Sequence, residues 1–135
     1  MRREIVKAIH DAFLCDGWSF RQGFIYNTTG IKMELPALWL TPIELAGKTG
    51  LSEGVSTYKV ILYLFAMNYK YTEEQKEEQW AELESRALDS CETLAQSDHV
   101  MRVFGLSCEP DEFAYTQFGE LSMKVTFSVD MEYCR

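Results

Sequence analysis

Residues 55–69 read VSTYKVILYLFAMNY, the longest strand-like run in the chain. β-branched and aromatic residues crowd this run, and it contains neither Gly nor Pro, so it predicts a β-strand. From Val60 onward its residues are apolar on both faces, as in strands that are buried on both sides. We therefore expect one face to be covered by the helix that follows in the sequence, and the other face by a second layer or by another subunit.

Composition limits the class of protein. The chain has 135 residues, of which 47% are hydrophobic and 25% are charged, and its formal net charge is -8. These values predict a single folded domain over residues 1–135. The acidic excess argues against sequence-specific nucleic-acid binding, which needs a basic patch. No apolar run reaches the roughly 18 residues of a membrane span. Charges also interrupt the apolar N-terminal stretch, so we expect a cytoplasmic protein with no signal peptide and no membrane partner.

The segments before the long run predict a helix and two strands. Residues 2–15 place apolar side chains at helical spacing, and Gly17 suits the left-handed position that follows a helix. Residues 18–28 alternate as a strand does. Residues 35–45 are extended but contain two prolines, which cannot donate ladder hydrogen bonds, so a short, bent or edge strand is expected. Residues 47–54 are rich in Gly and predict a loop that joins this segment to the long strand.

The segments after the long run predict a second helix and two strands. Thr72 and Gln75 have the spacing of a capping box, and an apolar stripe continues to Ala95. Residues 99–108 predict one strand, and residues 120–134 alternate cleanly between apolar and polar side chains. The order is therefore αβββαββ. It predicts an α+β domain in which two helices pack on one face of a mainly antiparallel sheet of about five strands.

The sequence predicts no catalytic, cofactor-binding or metal-binding residues. Gly47-Lys48-Thr49 resembles the end of a phosphate-binding loop, but Pro42 stands where the first Gly of that motif belongs. His10 and His99 are the only histidines, and we interpret both as surface or helix-end residues. Side chains one apart on a helix do not face each other, so Asp11 should not pair with His10. The cysteines, which are far apart with no CxxC spacing, predict reduced thiols rather than a metal site: Cys15, Cys91, Cys108 and Cys134.

Three stretches and the N-terminal helix carry a resemblance to a known group of proteins. They are TYKVILYLFAMN (57–68), TEEQKEEQWAELESRALDSCETL (72–94) and GELSMKVTFSVDMEYC (119–134). Their order and texture resemble those of small phage or prophage virion proteins of the tail terminator and tail completion type. The resemblance implies a structural protein with no enzymatic activity and no cofactor. It also implies a homo-oligomeric ring, often a hexamer, that contacts other tail or connector proteins at the tail end or the head–tail junction. Such a protein passes from the host cytoplasm into the virion.

Two other functions compete with this one. A small-molecule-binding domain would have a pocket between the sheet and the second helix, lined by Trp80, Phe65 and Tyr63. An enzyme would use Cys91 or Cys108 with His99 and would need a thiol of low pKa. The virion assembly protein remains the main hypothesis. In that hypothesis the Gly-rich loop projects toward an adjacent ring, and the acidic charge lets DNA pass through the ring without sticking.

Overall fold

The computed structural model describes residues 2–14, 17–25, 34–50, 53–66, 72–111 and 120–134. Within these ranges the chain forms two helices and a six-stranded, mostly antiparallel sheet in the order αββββαββ. The elements are α1 (Arg2–Phe13), β1 (Ser19–Gln22), β2 (Ala37–Leu40), β3 (Glu44–Lys48), β4 (Glu53–Ala66), α2 (Glu73–Ala95), β5 (Val100–Asp111) and β6 (Leu121–Cys134). The predicted α+β class is confirmed, and both helices contribute to one core on one face of the sheet.

β4 and β6 form the centre of the sheet. They pair antiparallel over 14 residues, from Glu53 opposite Cys134 to Ala66 opposite Leu121. The spatial order of the strands is β1-β2-β4-β6-β5, and β3 pairs with β4 beside this path. The long strand is thus central, as its composition predicted. It begins two residues earlier than expected, and its expected last residues, 67–69, lie outside the described ranges.

The extended segment 35–45 is two strands rather than one, which corrects the predicted strand count. β2 ends at Leu40 opposite Leu62, and β3 begins at Glu44 opposite Lys59, so both follow the same edge of β4. Between them, Thr41 still donates its backbone N–H to the carbonyl of Ile61 at 3.1 Å. Pro42 has no N–H to donate, so the ladder breaks there.

The first strand is shorter than predicted and has a parallel neighbour. β1 covers Ser19–Gln22, and each of its residues lies opposite one residue of β2, from Ser19 opposite Ala37 to Gln22 opposite Leu40. The end of the expected strand, residues 26–28, lies outside the described ranges. A parallel pair needs a long connection between its strands, which here is formed by residues 23–36. This pair makes the sheet mixed rather than purely antiparallel.

Both helices form where the sequence places them. α1 ends at Phe13, and Gly17 adopts the left-handed conformation (φ +85°) in the turn that follows. α2 begins with the predicted capping box. The Thr72 side chain accepts a hydrogen bond from the Gln75 N–H, and the Gln75 side chain accepts one from the Thr72 N–H. These bonds satisfy N–H groups that a helix start leaves without partners.

β5 is longer than the predicted strand 99–108. It runs on to Asp111 and includes Pro110, because an edge strand can carry proline where its outer N–H would face away from the sheet. Its pairing with β6 slips twice, between Val100 and Arg102 and between Phe104 and Ser107. Gly105 lies inside the second irregularity with φ +69°, a conformation that favours glycine.

The two faces of the sheet carry two apolar clusters. The larger lies under the helices and includes Ile9 and Phe13 of α1, with the Phe13 ring stacked on Phe127 at 5.7 Å between centroids. The smaller lies on the opposite face and consists of Ala37, Trp39, Tyr63 and Phe65. Burial of β4 on both faces is therefore confirmed.

The second face of β4 is covered by the chain itself. Ile25 and Leu35, from the connection between β1 and β2, pack against the smaller cluster. The Trp39 indole donates its Nε1–H to the Gly23 carbonyl at 2.8 Å. Phe65 is fully buried without any second subunit. The apolar residues on the second face of β4 are therefore buried within one chain. Their burial does not require another subunit.

Candidate functional site

A groove between α1 and β1 carries the clearest basic surface in the described chain. Its exposed rim includes Arg2, Arg3, Lys7 and the acidic Asp11, and its apolar floor consists of the half-buried Val6 and Phe20. Arg3 and Lys7 are four residues apart, so one face of α1 presents both toward β1. The groove encloses about 720 Å³. We call it the basic groove, and it is notable in a chain whose net charge is -8.

The charges of the basic groove are mostly left open. Arg2 donates from Nη1 to the Ile43 carbonyl at 2.7 Å, which fixes the start of α1 next to the base of β3. Arg3 and Lys7 are exposed, and neither forms a salt bridge with any residue in the described ranges. The basic groove therefore offers at least two solvated cations to an anionic partner.

His10 closes one end of the basic groove. Its ring packs edge-to-face on Phe20, with 4.7 Å between centroids. Its Nδ1 lies 3.1 Å from Asp11 Oδ1, so the expectation that neighbouring helix residues would not pair is wrong here. The contact forms because both side chains are partly exposed and can bend along the helix surface. His10 thus has a packing role and an acidic neighbour on the helix surface.

The outer surface of α2 has the opposite charge. Its eight carboxylates stand against two basic side chains, which is a formal charge of -6 within the -8 of the whole chain. All eight are exposed, so this face of α2 is solvated. Only Glu73, which pairs with Lys76 at 3.3 Å, forms a salt bridge within the described part of the chain. The remaining seven form no salt bridge with a described residue: Glu74, Glu77, Glu78, Glu82, Glu84, Asp89 and Glu92.

One edge of α2 combines acidic and apolar side chains beside β5. The Glu84 carboxylate lies close enough to Cys108 on β5 to raise the pKa of that thiol, after the larger effect of burial. Glu77 precedes Glu84 by seven residues, or about two helical turns, so it lies on the same side of α2. Leu88 follows one turn later and is 47% exposed. We call these three residues the acidic flank.

The hairpin of β3 and β4 is the most exposed part of the sheet. All five residues of β3 are exposed, and Leu45 keeps half of its surface in solvent. The tip closes at Thr49, whose N–H donates to the Val55 carbonyl at 2.9 Å and whose Oγ1 accepts from the Val55 N–H at 2.9 Å. The predicted loop 47–54 is therefore shorter, because its ends belong to β3 and β4, and residues 51–52 lie outside the described ranges.

Gly47-Lys48-Thr49, which resembles the end of a phosphate-binding loop, lies at the end of β3 in this hairpin. Lys48 ends β3, and the element that follows is the strand β4 rather than a helix. A phosphate-binding loop requires a helix N-terminus directly after the motif, so that backbone N–H groups converge on the phosphate. These three residues do not have that geometry.

On the sheet face opposite the helices, the side chain of Asp130 is buried. Asp130 on β6 accepts from Thr57 Oγ1 at 2.5 Å and from Arg102 Nε at 2.6 Å. Burial alone would raise the pKa of Asp130, but the two hydrogen bonds and the Arg102 charge outweigh it and lower the pKa below its usual range. The Arg102 guanidinium also lies 4.1 Å above the Phe104 ring. This cluster joins three strands and has the character of a structural ion pair.

The cysteine and histidine candidates do not form a nucleophilic pair. Burial raises the pKa of Cys91 to about 12, with a smaller contribution from Cys108, and a thiol of such pKa is not a nucleophile at neutral pH. His99 precedes β5 and is exposed, with φ +67°, and its carbonyl accepts the Glu132 N–H at 2.8 Å. Cys108 is nine residues further along, roughly 30 Å for a regular strand. The expected role of His99 at the helix end falls instead to Gln96, whose N–H bonds Thr93 and Leu94 carbonyls.

The residues expected to line a small-molecule pocket lie on two faces of the sheet. Trp80 packs against the larger cluster under the helices, and its Nε1–H donates to the Ser122 carbonyl at 3.3 Å. Tyr63 and Phe65 belong to the smaller cluster on the opposite face. Successive side chains of a strand point to opposite faces, so Tyr63 and Phe65 cannot share a cavity with Trp80, which packs with the even positions of β4. The predicted lining is therefore wrong.

A shallow groove between α1 and α2 is organised by Arg86. The groove is lined by Ala12 of α1 and by polar residues of α2 such as Glu82 and Asp89. Arg86 donates from Nη2 to the Phe13 carbonyl at the end of α1, and its guanidinium lies 4.2 Å from the centre of the Trp18 ring. Arg86 thus holds α2 against the turn between α1 and β1, which is a structural role.

Within the described ranges, no group of three or more His, Cys, Asp and Glu side chains could hold a metal ion. None of the helices in those ranges has both the length and the apolar character to cross a membrane.

Sequence reasoning missed the basic groove and the acidic flank as a pair of surfaces. The signal was present, because Arg3 and Lys7 share one side of α1 while Glu77 and Glu84 share one side of α2. This spacing alone does not show where the two surfaces lie, because only the strand order places β1 and β5 at opposite ends of the sheet. Comparison of the sequence with protein-family models and with curated proteins finds no match.

Proposed function

We propose that the chain is a structural virion assembly protein of phage or prophage origin that forms a homo-oligomeric ring at the tail end or the head–tail junction. Other tail or connector proteins are its further partners. In this role it has no catalytic activity and no cofactor, and it passes from the host cytoplasm into the virion. The observed α+β class is that of the small ring-forming proteins that the sequence resembles, which supports the proposal.

The exposed strand β3 is the observation that carries the proposal. A β-strand normally buries at least one face, because strand pairing alone provides little stability in water. All five residues of β3 are exposed, yet the strand is anchored at both ends. Arg2 fixes its base through the Ile43 carbonyl, and Thr49 closes its tip on Val55. An ordered arm of this kind, rigid at its base and uncovered along its length, suits contact with another protein.

The competing function is a small-molecule-binding α+β domain. The residues expected to line its pocket lie on two faces of the sheet, so this function lacks the site on which it was based. It remains the most useful alternative for designing a test, because it predicts a monomer or dimer whose melting temperature rises when a ligand binds.

Molecular mass measured by light scattering across a concentration series, in physiological salt, tests the proposal. The expected result is a discrete species near six times the chain mass, or growth toward it with concentration. Negative-stain images of the same sample should show rings with a central opening. A chain that stays monomeric throughout, and whose melting temperature rises with a small metabolite, would overturn the ring in favour of the pocket.

A further inference from the structure

Two oppositely charged surfaces lie at opposite ends of the sheet. The basic groove is at the β1 end, because Phe20 and Gln22 of β1 line it. The acidic flank is at the β5 end, because α2 packs against β5 and the Glu84 charge acts on the Cys108 thiol of that strand. β1 and β5 are the two outermost strands of the sheet. The two surfaces therefore face away from each other and cannot compensate each other within one chain.

Both surfaces are open in the monomer. Arg3 and Lys7 form no salt bridge with a described residue, and the same is true of Glu77 and Glu84. Each surface also combines charge with apolar area. Val6 and Phe20 form the floor of the basic groove, and Leu88 is 47% exposed on the acidic flank. Interfaces between proteins typically combine such an apolar centre with a charged rim.

The edge strands themselves are poorly suited to contact between copies through backbone pairing. β1 has only four residues. β5 is interrupted by two register shifts, by Gly105 with a positive φ, and by Pro110. Short strands, bulges and proline are the features by which natural sheets avoid pairing edge to edge. These features favour a contact between copies that is made by side chains on the helices.

We propose that the basic groove of one copy receives the acidic flank of α2 from a second copy. Arg3 and Lys7 then face Glu77 and Glu84, and Leu88 enters the apolar floor formed by Val6 and Phe20. This inference rests on the proposed ring and names the contact that builds it. Two different surfaces on opposite ends of one chain give a head-to-tail contact, which closes into a ring when the rotation per subunit allows it.

Charge reversal in the full-length chain tests this contact. The groove variant carries Arg3→Glu and Lys7→Glu, the flank variant carries Glu77→Lys and Glu84→Lys, and a combined variant carries all four changes. All four residues are exposed, so circular dichroism should show unchanged folding. Asp98→Lys is the control, because Asp98 is exposed in the turn after α2, outside the two surfaces and outside the hairpin of β3 and β4. Light scattering across a concentration series gives the concentration at which half of each protein is assembled.

Each two-residue variant is expected to raise that concentration at least about tenfold, because like charges then face each other across the contact. The combined variant is expected to return to within about threefold of the wild type, since opposite charges face each other again in swapped positions. Rings that form equally well in all variants would overturn this contact and leave the proposed ring standing. A combined variant that assembles no better than the groove variant would also overturn it. A wild-type chain that never assembles would overturn the ring and the contact together.

Discussion

Thr57 on β4 donates its hydroxyl hydrogen to the Asp130 carboxylate on β6, with 2.5 Å between the oxygens. The two residues are direct neighbours in the pairing of the central strands. Arg102 of β5 binds the other carboxylate oxygen of Asp130. One carboxylate that is almost completely buried thus joins three adjacent strands on the face opposite the helices. The negative charge of Asp130 strengthens both hydrogen bonds, because Thr57 and Arg102 both donate to an anion.

The stability of the protein should depend on the charge of Asp130. Its pKa in the folded protein lies below the ordinary value of 3.8 because of Thr57 and Arg102. The stabilisation is therefore fully present above pH 3.8 and is lost as the pH falls through the folded pKa. Asp130→Asn should lower the free energy of unfolding at neutral pH, and its difference from the wild type should shrink on acidification. Urea denaturation at a series of pH values measures both quantities.

Thr57→Val tests the contribution of one of the two donors to Asp130. It removes one donor to Asp130 and leaves Arg102 in place, so its difference from the wild type should also shrink at low pH, from a smaller value at neutral pH. A difference between Asp130→Asn and wild type that stays constant from neutral pH to about pH 2.5 would contradict the assigned role of the carboxylate.

Gly54 should be intolerant of any side chain. Its φ is +145°, and a Cβ added there would lie 2.0 Å from the Thr49 carbonyl oxygen. Gly54→Ala should therefore reduce the free energy of unfolding by more than about 1 kcal/mol. Gly47→Ala in the same hairpin is the control, because a Cβ there meets nothing within 4 Å, and it should stay within about 0.5 kcal/mol of the wild type. Equal stability of the two variants in thermal or urea denaturation would show that the hairpin adapts.

Arg86 should matter more than its place on an acidic helix suggests. It donates to the Phe13 carbonyl and stacks on Trp18. Arg86→Ala should cost about 1–3 kcal/mol, from the charged hydrogen bond and the cation–π contact together. Arg86→Lys keeps the charge but loses the planar group that makes both contacts, so it should recover less than half of that loss. The midpoints of urea denaturation measure these differences in stability, provided that the m value is unchanged. Full recovery of stability in Arg86→Lys would show that only the charge of Arg86 matters.

Cys91 should be unreactive while the protein is folded. Burial raises the pKa of its thiol to about 12, so almost no thiolate is present near pH 8. Alkylation of Cys91 by iodoacetamide should be more than about 100-fold slower in the native protein than in urea. Mass spectrometry of the digested protein assigns the modification to Cys91 individually. Rapid native alkylation of Cys91 would revive the hypothesis of a cysteine enzyme.

The elements with strong local signals could be predicted from the sequence. The capping box at Thr72 and the alternation in β6 depend on neighbours in the sequence, and the structure places α2 and β6 accordingly. The long apolar run in β4 also predicted its burial on both faces. Local chemistry failed where distant pairing decides the outcome. Pro42 signals a break, but only the partner strand shows that β2 and β3 continue along the same edge.

The candidate surfaces could not be predicted from the sequence, because they too depend on pairing between distant segments. The spacing of Arg3 and Lys7 shows that they share a helix side, but the side could have faced α2, solvent or β1. The parallel pairing of β1 with β2 places Phe20 beneath them. In the same way, Trp80 and Phe65 were predicted to line one pocket, but they lie on opposite faces of the sheet.

The pairing of β4 with β6 also determines when the protein can fold during its synthesis. The neighbour of Glu53 is Cys134, and the neighbour of Ala66 is Leu121. A ribosome that has just completed β4 must add nearly 70 further residues before that register can close. During that interval the most apolar strand of the sheet lacks its main neighbour, and exposed strands of this kind aggregate readily. We therefore expect the nascent chain to depend on α2, or on a chaperone, to shield β4 until residue 134 has left the ribosome.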